Sequence, residues 1–227
     1  MVEGLVNESK GREGALGGLA ANYLDALLNG RRIDASGLIL SAVETGTSVE
    51  SIYLDVLQPV QRELGRLWQI NEVTVAQEHY CTAATQLLMG QLYRYFRPAP
   101  RNGKRVVVTC VGGELHEVGA RMVADLLEMA GWDSYFLGAN TPTGSVLSAT
   151  AERQADILAV SVTIHYNVQA ARVLVRELRR SPDASRLKVL VGGRPFLVAP
   201  NLWSSVGADA SAADAQQAIS TAARLIS

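Results

Sequence analysis

The chain has only three histidines, so few positions can hold a transition metal or exchange protons near neutral pH. Two of them have a carboxylate beside them. His116 follows Glu114 by two residues in GGELHEVG (112–119), and His79 directly follows Glu78. A metal-ligating imidazole usually donates its other ring N–H to a carboxylate or carbonyl, which fixes the tautomer and raises basicity. Glu114 is spaced to do this for His116. Taken alone, a loop histidine with an acidic neighbour is more often a surface residue, because lone motif matches mislead. The third histidine, His165, reads as structural, lining a crevice or facing solvent. Cys81 and Cys110 match no zinc or redox spacing and read as buried thiols.

The elements that must position these residues fall into two halves. Residues 15–97 read as helix throughout. Segment 15–29 stops at Gly30, and segment 35–45 begins after Asp34 as N-cap and stops at Gly46. A capping box, Thr47 with Glu50, opens a helix whose apolar positions Ile52, Val56, Leu57, Val60, Leu64 and Leu67 recur at helical spacing. Pro59 should kink it. A second capping box, Thr74 with Gln77, opens a helix that runs to about Phe96. Short joins make an antiparallel four-helix bundle the simplest arrangement. Residues 1–14 read as a flexible tail, and 98–104 as a proline- and glycine-bearing linker.

From 105 to 227 strands alternate with helices. Strand-like runs lie at 105–110, 133–138, 156–162 and 187–193, with a weaker fifth near 207–211; helices fall at 117–130, 143–153, 167–180 and 212–226. Near-continuous apolar strands point to a parallel sheet covered on both faces. The expected fold is therefore α plus α/β: a helical bundle followed by a doubly wound, flavodoxin- or Rossmann-like parallel five-stranded sheet. Such sheets bind ligands beyond the C-terminal strand ends, which is where GGELHEVG lies.

Several function classes are excluded by composition. A net charge of −1 offers no positive footprint for nucleic acid. No run approaches the ~20 apolar residues of a membrane span, and the first residues lack a signal-peptide core, so cytoplasmic residence is expected.

Four strand-end motifs give residues 105–227 a family likeness. Glu114-Leu115-His116-Glu117-Val118-Gly119 follows the first strand, and Leu137-Gly138-Ala139-Asn140-Thr141-Pro142 follows the second. Ser161-Val162-Thr163 follows the third and Gly192-Gly193 the fourth. In this order they resemble the cobalamin-binding domains of methionine synthase, the corrinoid methyl-transfer proteins and the CarH/LitR photoreceptors. The resemblance implies base-off binding of cobalamin, with His116 as lower axial ligand to cobalt and the nucleotide tail near Ser161, Thr163, Gly192 and Gly193. It departs from the family at Glu114, one methylene longer than the commoner Asp, so the hydrogen bond to His116 must be re-aimed. The family's relay hydroxyl falls on Asn167, which puts any proton relay in doubt.

In the helical half, Trp68, nine intervening residues and Glu78-His79 resemble the cap of CarH-type photoreceptors. That likeness implies a bundle covering the upper corrin face, with Trp68, Val75, Glu78 and His79 around an adenosyl ligand. Gln69 stands where CarH carries a second cobalt-ligating histidine. The function then expected is a cobalamin-dependent light sensor that binds adenosylcobalamin, with methylcobalamin or hydroxocobalamin as other forms. It would not be an enzyme, and its output would pass through self-association or a partner regulatory protein without direct DNA binding. The alternative is a corrinoid carrier of a methyltransferase system.

Overall fold

The computed structural model describes residues 16–181 and 186–227. The tail expected at 1–14 lies outside the described residues. The chain divides into two compact units between Phe96 and Arg97.

The helical unit contains α1 (Leu16–Leu28), α2 (Arg32–Glu44), α3 (residues 49–69) and α4 (Val75–Leu92). Gly30 and Gly46 end the first two in left-handed backbone, φ 71° and 109°. Two start signals differ from expectation. Helix α2 begins at Arg32, so Asp34 sits in the first turn, where its charge opposes the positive end of the helix. At α3 the cap is Ser48, whose hydroxyl accepts from Ser51 N–H, in place of Thr47 with Glu50. The Thr74–Gln77 capping box is present, each side chain meeting the other's backbone N–H.

Pro59 acts differently from a simple kink. Residues Ile52–Leu57 form a π-helical stretch, and Gln58 N–H bonds Tyr53 O before the α-helix resumes over Gln58–Gln69. The wider turn places the proline in the first turn of the resumed helix, where its missing N–H is tolerated. Helix α4 gives way to a 3₁₀ turn, Tyr93–Tyr95, short of Phe96.

The second unit is a parallel sheet in the order β2-β1-β3-β4-β5. Its strands are β1 (Arg105–Cys110), β2 (Asp133–Gly138), β3 (Ile157–Ser161), β4 (Lys188–Gly192) and β5 (Ala210–Ala212). The crossover helices are α5 (Val118–Met129), α6 (Thr143–Glu152) and α7 (Val168–Arg180). Alternate residues of β1, β3 and β4 enter opposite cores. Val106, Val108 and Cys110 meet Ala120, Ala124 and Leu127 of α5 on one face. Val107, Leu158, Val160 and Val189 meet Leu174, Val175 and Leu178 of α7 on the other. Burial on both faces is why β1, β3 and β4 read as apolar runs.

Between β4 and β5 lie two short helices that periodicity did not show, α8 (Arg194–Val198) and α9 (Leu202–Ser205). They are too short for a helical repeat, and Pro195 opens the first. They push β5 beyond its expected start near 207. Helix α10 (Ala215–Leu225) closes the unit, capped by Asp214. The linker packs here too: Ala99 N–H bonds Met129 O at 2.8 Å and Asn102 N–H bonds Gly131 O at 3.0 Å.

Candidate functional site

In this strand order β1 and β3 are adjacent, and the chain leaves them in opposite directions across the sheet. The crevice at their C-terminal ends is the topological switch point. The β1–α5 loop sits at that point and carries the Glu114–His116 pair. Gly113 takes φ 82°, and a Cβ there would meet Asn167 Oδ1 at 3.3 Å. That conformation turns the chain so that Glu114 points in and Leu115 and His116 point out.

Glu114 is fully buried at 0% exposure, while the His116 side chain is 45% exposed. One carboxylate oxygen, Oε1, lies 2.5 Å from His116 Nδ1 and accepts His116 N–H at 3.1 Å. The other, Oε2, accepts Thr163 N–H at 2.8 Å, Ile164 N–H at 2.9 Å and Asn167 Nδ2–H at 3.0 Å. Burial alone would push this carboxyl up. The bonds from His116, Ile164, Asn167 and Thr163 outweigh it and hold Glu114 ionised, at about 2. An ionised acceptor at Nδ1 selects the Nδ1–H tautomer, so the ring's lone pair lies on Nε2, the nitrogen directed away from Glu114.

Neighbouring loops are tied to the same turn. Glu117, the N-cap residue of α5, accepts Ala139 N–H at 2.9 Å, against Gly138 with φ 86°. Cys110 contacts His116 O at 3.7 Å; burial, with the charges of Glu114 and Glu117, pushes its thiol up to about 12. It therefore stays a neutral thiol and offers no competing thiolate.

Each residue expected at the site has a definite place. Leu115 is exposed beside His116, Val118 is buried, and Gly119 is exposed in the first turn of α5. Leu137 packs partly against the α7-side core. Ser161 ends β3, in register with Cys110 and Gly192. Thr163 contributes its backbone N–H. Gly193 takes φ 105°, and a Cβ there would overlap Val162 O, so only glycine lets the two loops approach. His165 is exposed in the 3₁₀ turn His165–Asn167.

The remaining candidates belong to the helical unit. Trp68 lies exposed in the last turn of α3, and Val75 is exposed at the start of α4. Glu78 accepts the Thr82 hydroxyl at 2.7 Å, and His79 Nε2 lies 3.7 Å from Glu78 Oε2.

Two contributions were not foreseen: the Ile164 backbone N–H, and the part played by Asn140, which stood in the Leu137–Pro142 motif without a role of its own. Backbone donors leave no mark in a sequence. Asn140 did leave one, as an asparagine in a turn, a residue that tolerates left-handed backbone; here φ is 50°. Asn167 was placed by spacing but expected only to lack a hydroxyl; in the structure it supplies an N–H.

This donor set fits cobalamin. Corrin supplies its own ring of nitrogens, so one presented imidazole completes the protein's share, and among the described residues no three His, Cys, Asp or Glu side chains group as a bare ion would need. Fold and site together define a cobalamin-binding module. The B12 binding domain model matches residues 104–222, and a second B12 binding domain model matches 19–93; the chain belongs to the B12 binding domain family.

Among curated relatives, dimethylamine corrinoid protein 3 of Methanosarcina acetivorans is 27% identical over 83% of this chain and 89% of its own length. The HTH-type transcriptional repressor CarA of Myxococcus xanthus is 31% identical over 68% of this chain, but the match spans 51% of that protein. The solved structure of the Methanosarcina barkeri monomethylamine corrinoid protein shares the fold, with TM-score 0.82 and 20% identity over 93% of this chain and 100% of that one. These findings correct the light-sensing expectation. The dimethylamine corrinoid protein matches nearly end to end, whereas the CarA match spans about half of that protein. Cobalamin as the cofactor stands. Among the described residues no helix is long and apolar enough to cross a membrane.

Proposed function

We propose that the chain is the corrinoid carrier of a methyltransferase system, and that His116 is the lower axial ligand to its cobalamin. The cofactor supplies cobalt as the methyl-carrying atom; the protein contributes ligation, orientation and shielding, and has no acid–base or nucleophilic work of its own. The observation that carries this reading is the exposed His116 ring held by a buried, ionised Glu114 at the switch-point crevice. The end-to-end likeness to a dimethylamine corrinoid protein supports the carrier role.

Within this reading, Glu114 orients His116, and Leu115, Glu117, Val118 and Gly119 shape the loop that carries it. Leu137, Gly138, Ser161, Thr163, Gly192 and Gly193 line the route of the nucleotide tail. Trp68, Val75, Glu78 and His79 are the helical unit's contacts with the cofactor. The partners are methyltransferases that load and unload the methyl group.

The test is reconstitution with hydroxocobalamin, reduction, and mixing with a methylamine-specific corrinoid methyltransferase and its amine. Conversion of the absorption spectrum to that of methylcobalamin is the expected result. Failure to accept a methyl group from the monomethylamine and dimethylamine systems alike would sink the carrier role drawn from those relatives. An unchanged cobalt(II) spectrum in His116→Ala would sink the lower-ligand assignment.

A further inference from the structure

The loop that carries His116 begins with two glycines, Gly112 and Gly113, which alone would leave it free to sample many conformations. Its order has an identifiable source. Gly113 N–H donates to Asn140 Oδ1 at 2.8 Å, and Gly113 O accepts from Asn167 Nδ2 at 3.3 Å. Asn140 N–H in turn donates to Glu114 O at 2.8 Å, while Asn167 Nδ2 also reaches Glu114 Oε2 at 3.0 Å. One asparagine comes from the loop after β2 and the other from the turn before α7. Two separate crossovers thus grip the same residue from its donor side and its acceptor side.

We propose that Asn140 and Asn167 are positioning residues that clamp Gly113 and so hold His116 ready to ligate cobalt. This rests on the reading of His116 as the lower ligand. The physical content is preorganisation: a ligand loop ordered before the cofactor arrives spends less of the binding energy on its own ordering. Asparagine suits both positions. Asn140 can occupy a left-handed backbone while offering an acceptor, and the two N–H bonds of the buried Asn167 amide serve two oxygens. Neither amide changes charge, so the clamp works at any pH at which the fold persists.

The test uses the full chain labelled with ¹⁵N-histidine, loaded with hydroxocobalamin and reduced to cobalt(II). Electron paramagnetic resonance reports the fraction of cobalt carrying a histidine nitrogen, and titration reports hydroxocobalamin affinity. Asn140→Gly and Asn167→Ala should each lower the histidine-ligated fraction and weaken binding about tenfold, the size of one lost hydrogen bond near a charged group. Asn140→Asp keeps the acceptor and should stay within about twofold of the parent by the same scale.

Retention of the parental fraction and affinity in both Asn140→Gly and Asn167→Ala would overturn the clamp, provided His116→Ala loses the histidine splitting. If His116→Ala keeps that splitting, the lower-ligand reading itself fails, and the clamp's purpose with it. A purely structural role would lower the melting temperature without changing the splitting, and that outcome also overturns the proposal. Should Asn167→Ala not fold, Asn140→Gly decides, because its side chain is exposed and glycine suits the backbone there.

Discussion

The two units each contain a carboxylate–histidine pair, and the pairs are built in opposite ways. Glu114 is fully buried, receives five N–H donors and sits 2.5 Å from His116 Nδ1. Glu78 is 21% exposed, shares one oxygen with the Thr82 hydroxyl, and lies 3.7 Å from a His79 ring that is 74% exposed. The residue types are the same, but the supports differ. Loops after β1 and β3 converge on Glu114 and supply its donors, whereas Glu78 and His79 stand at the start of α4, where Glu78 N–H bonds Thr74 O and the Thr74–Gln77 capping box takes up two more backbone donors. The Glu114–His116 pair is fixed because the backbone turns inward to meet its buried carboxylate.

The comparison is broken most severely by removing the buried member. Glu114→Ala removes the buried acceptor of the Thr163 and Ile164 N–H groups and one of the two acceptors of Asn167 Nδ2. Loss of one partner from a buried charged network costs about 3–5 kcal/mol, so the cofactor-free protein should show a large drop in denaturant midpoint. Glutamine should recover part of it, since its carbonyl oxygen can still accept. If Glu114→Ala unfolds within about 1 kcal/mol of the parent, the network carries little stability and its role is confined to orienting His116.

Acid sharpens the same contrast. Glu114 is held at about 2, well below the ordinary carboxyl range near 4.5. A carboxyl depressed in the folded state adds stability that is complete above its unfolded pKa and is lost as pH falls through the folded value. The shift corresponds to about 3 kcal/mol at neutral pH. In cofactor-free protein, the difference in unfolding free energy between the parent and Glu114→Gln should shrink by about that amount between pH 5 and pH 2. A difference that stays flat across this window would show that Glu114 titrates normally.

The helical unit has a buried polar network of its own, without charge. Thr85 has one hydroxyl proton, which Cys81 O accepts at 3.0 Å; its lone pairs then accept Gln61 Nε2–H at 2.8 Å and the Tyr23 hydroxyl at 3.0 Å. Burial raises the Tyr23 phenol, which keeps it a donor. Thr85→Val preserves shape but strands both donors, and should cost about 1–3 kcal/mol by thermal or urea unfolding. A neutral substitution would mean that water or rotation rescues them.

The legibility of the two units follows the same division. Strands buried on both faces and helices with strong caps could be read from residue pattern, because each residue's neighbours in sequence decide its face. Val107 and Val108 enter opposite cores by alternation alone. The site was legible only in part. Glu114, His116 and the glycines are marked by type and spacing, but the Thr163 and Ile164 amides belong to the backbone and leave no trace in residue type. The exchange of Thr47 for Ser48 at a cap turned on a one-residue choice between two hydroxyls. The short helices over 194–205 lack the turns needed for a repeat. The photoreceptor expectation failed for a related reason: a tryptophan and a Glu-His pair on exposed helical turns do not identify a ligand by their types and spacing alone.

The smallest expected effect tests that last point. Glu78 and His79 interact across 3.7 Å with the imidazole largely in water, where an ion pair contributes at most a few tenths of a kcal/mol to about 1 kcal/mol. His79→Ala should therefore leave the unfolding free energy of the cofactor-free protein within about 0.5 kcal/mol of the parent. Glu78→Ala also removes the acceptor of the Thr82 hydroxyl, yet that hydroxyl retains Gln61 Oε1 at 3.3 Å as a second acceptor, so the loss should again be small. Against that quiet background, a change in hydroxocobalamin affinity or in the cobalt absorption bands on either substitution can be assigned to contact with the cofactor. Two variants silent in both stability and spectrum would leave Glu114–His116 as the pair with a cofactor role, and the contrast between the units would become one of function as well as construction.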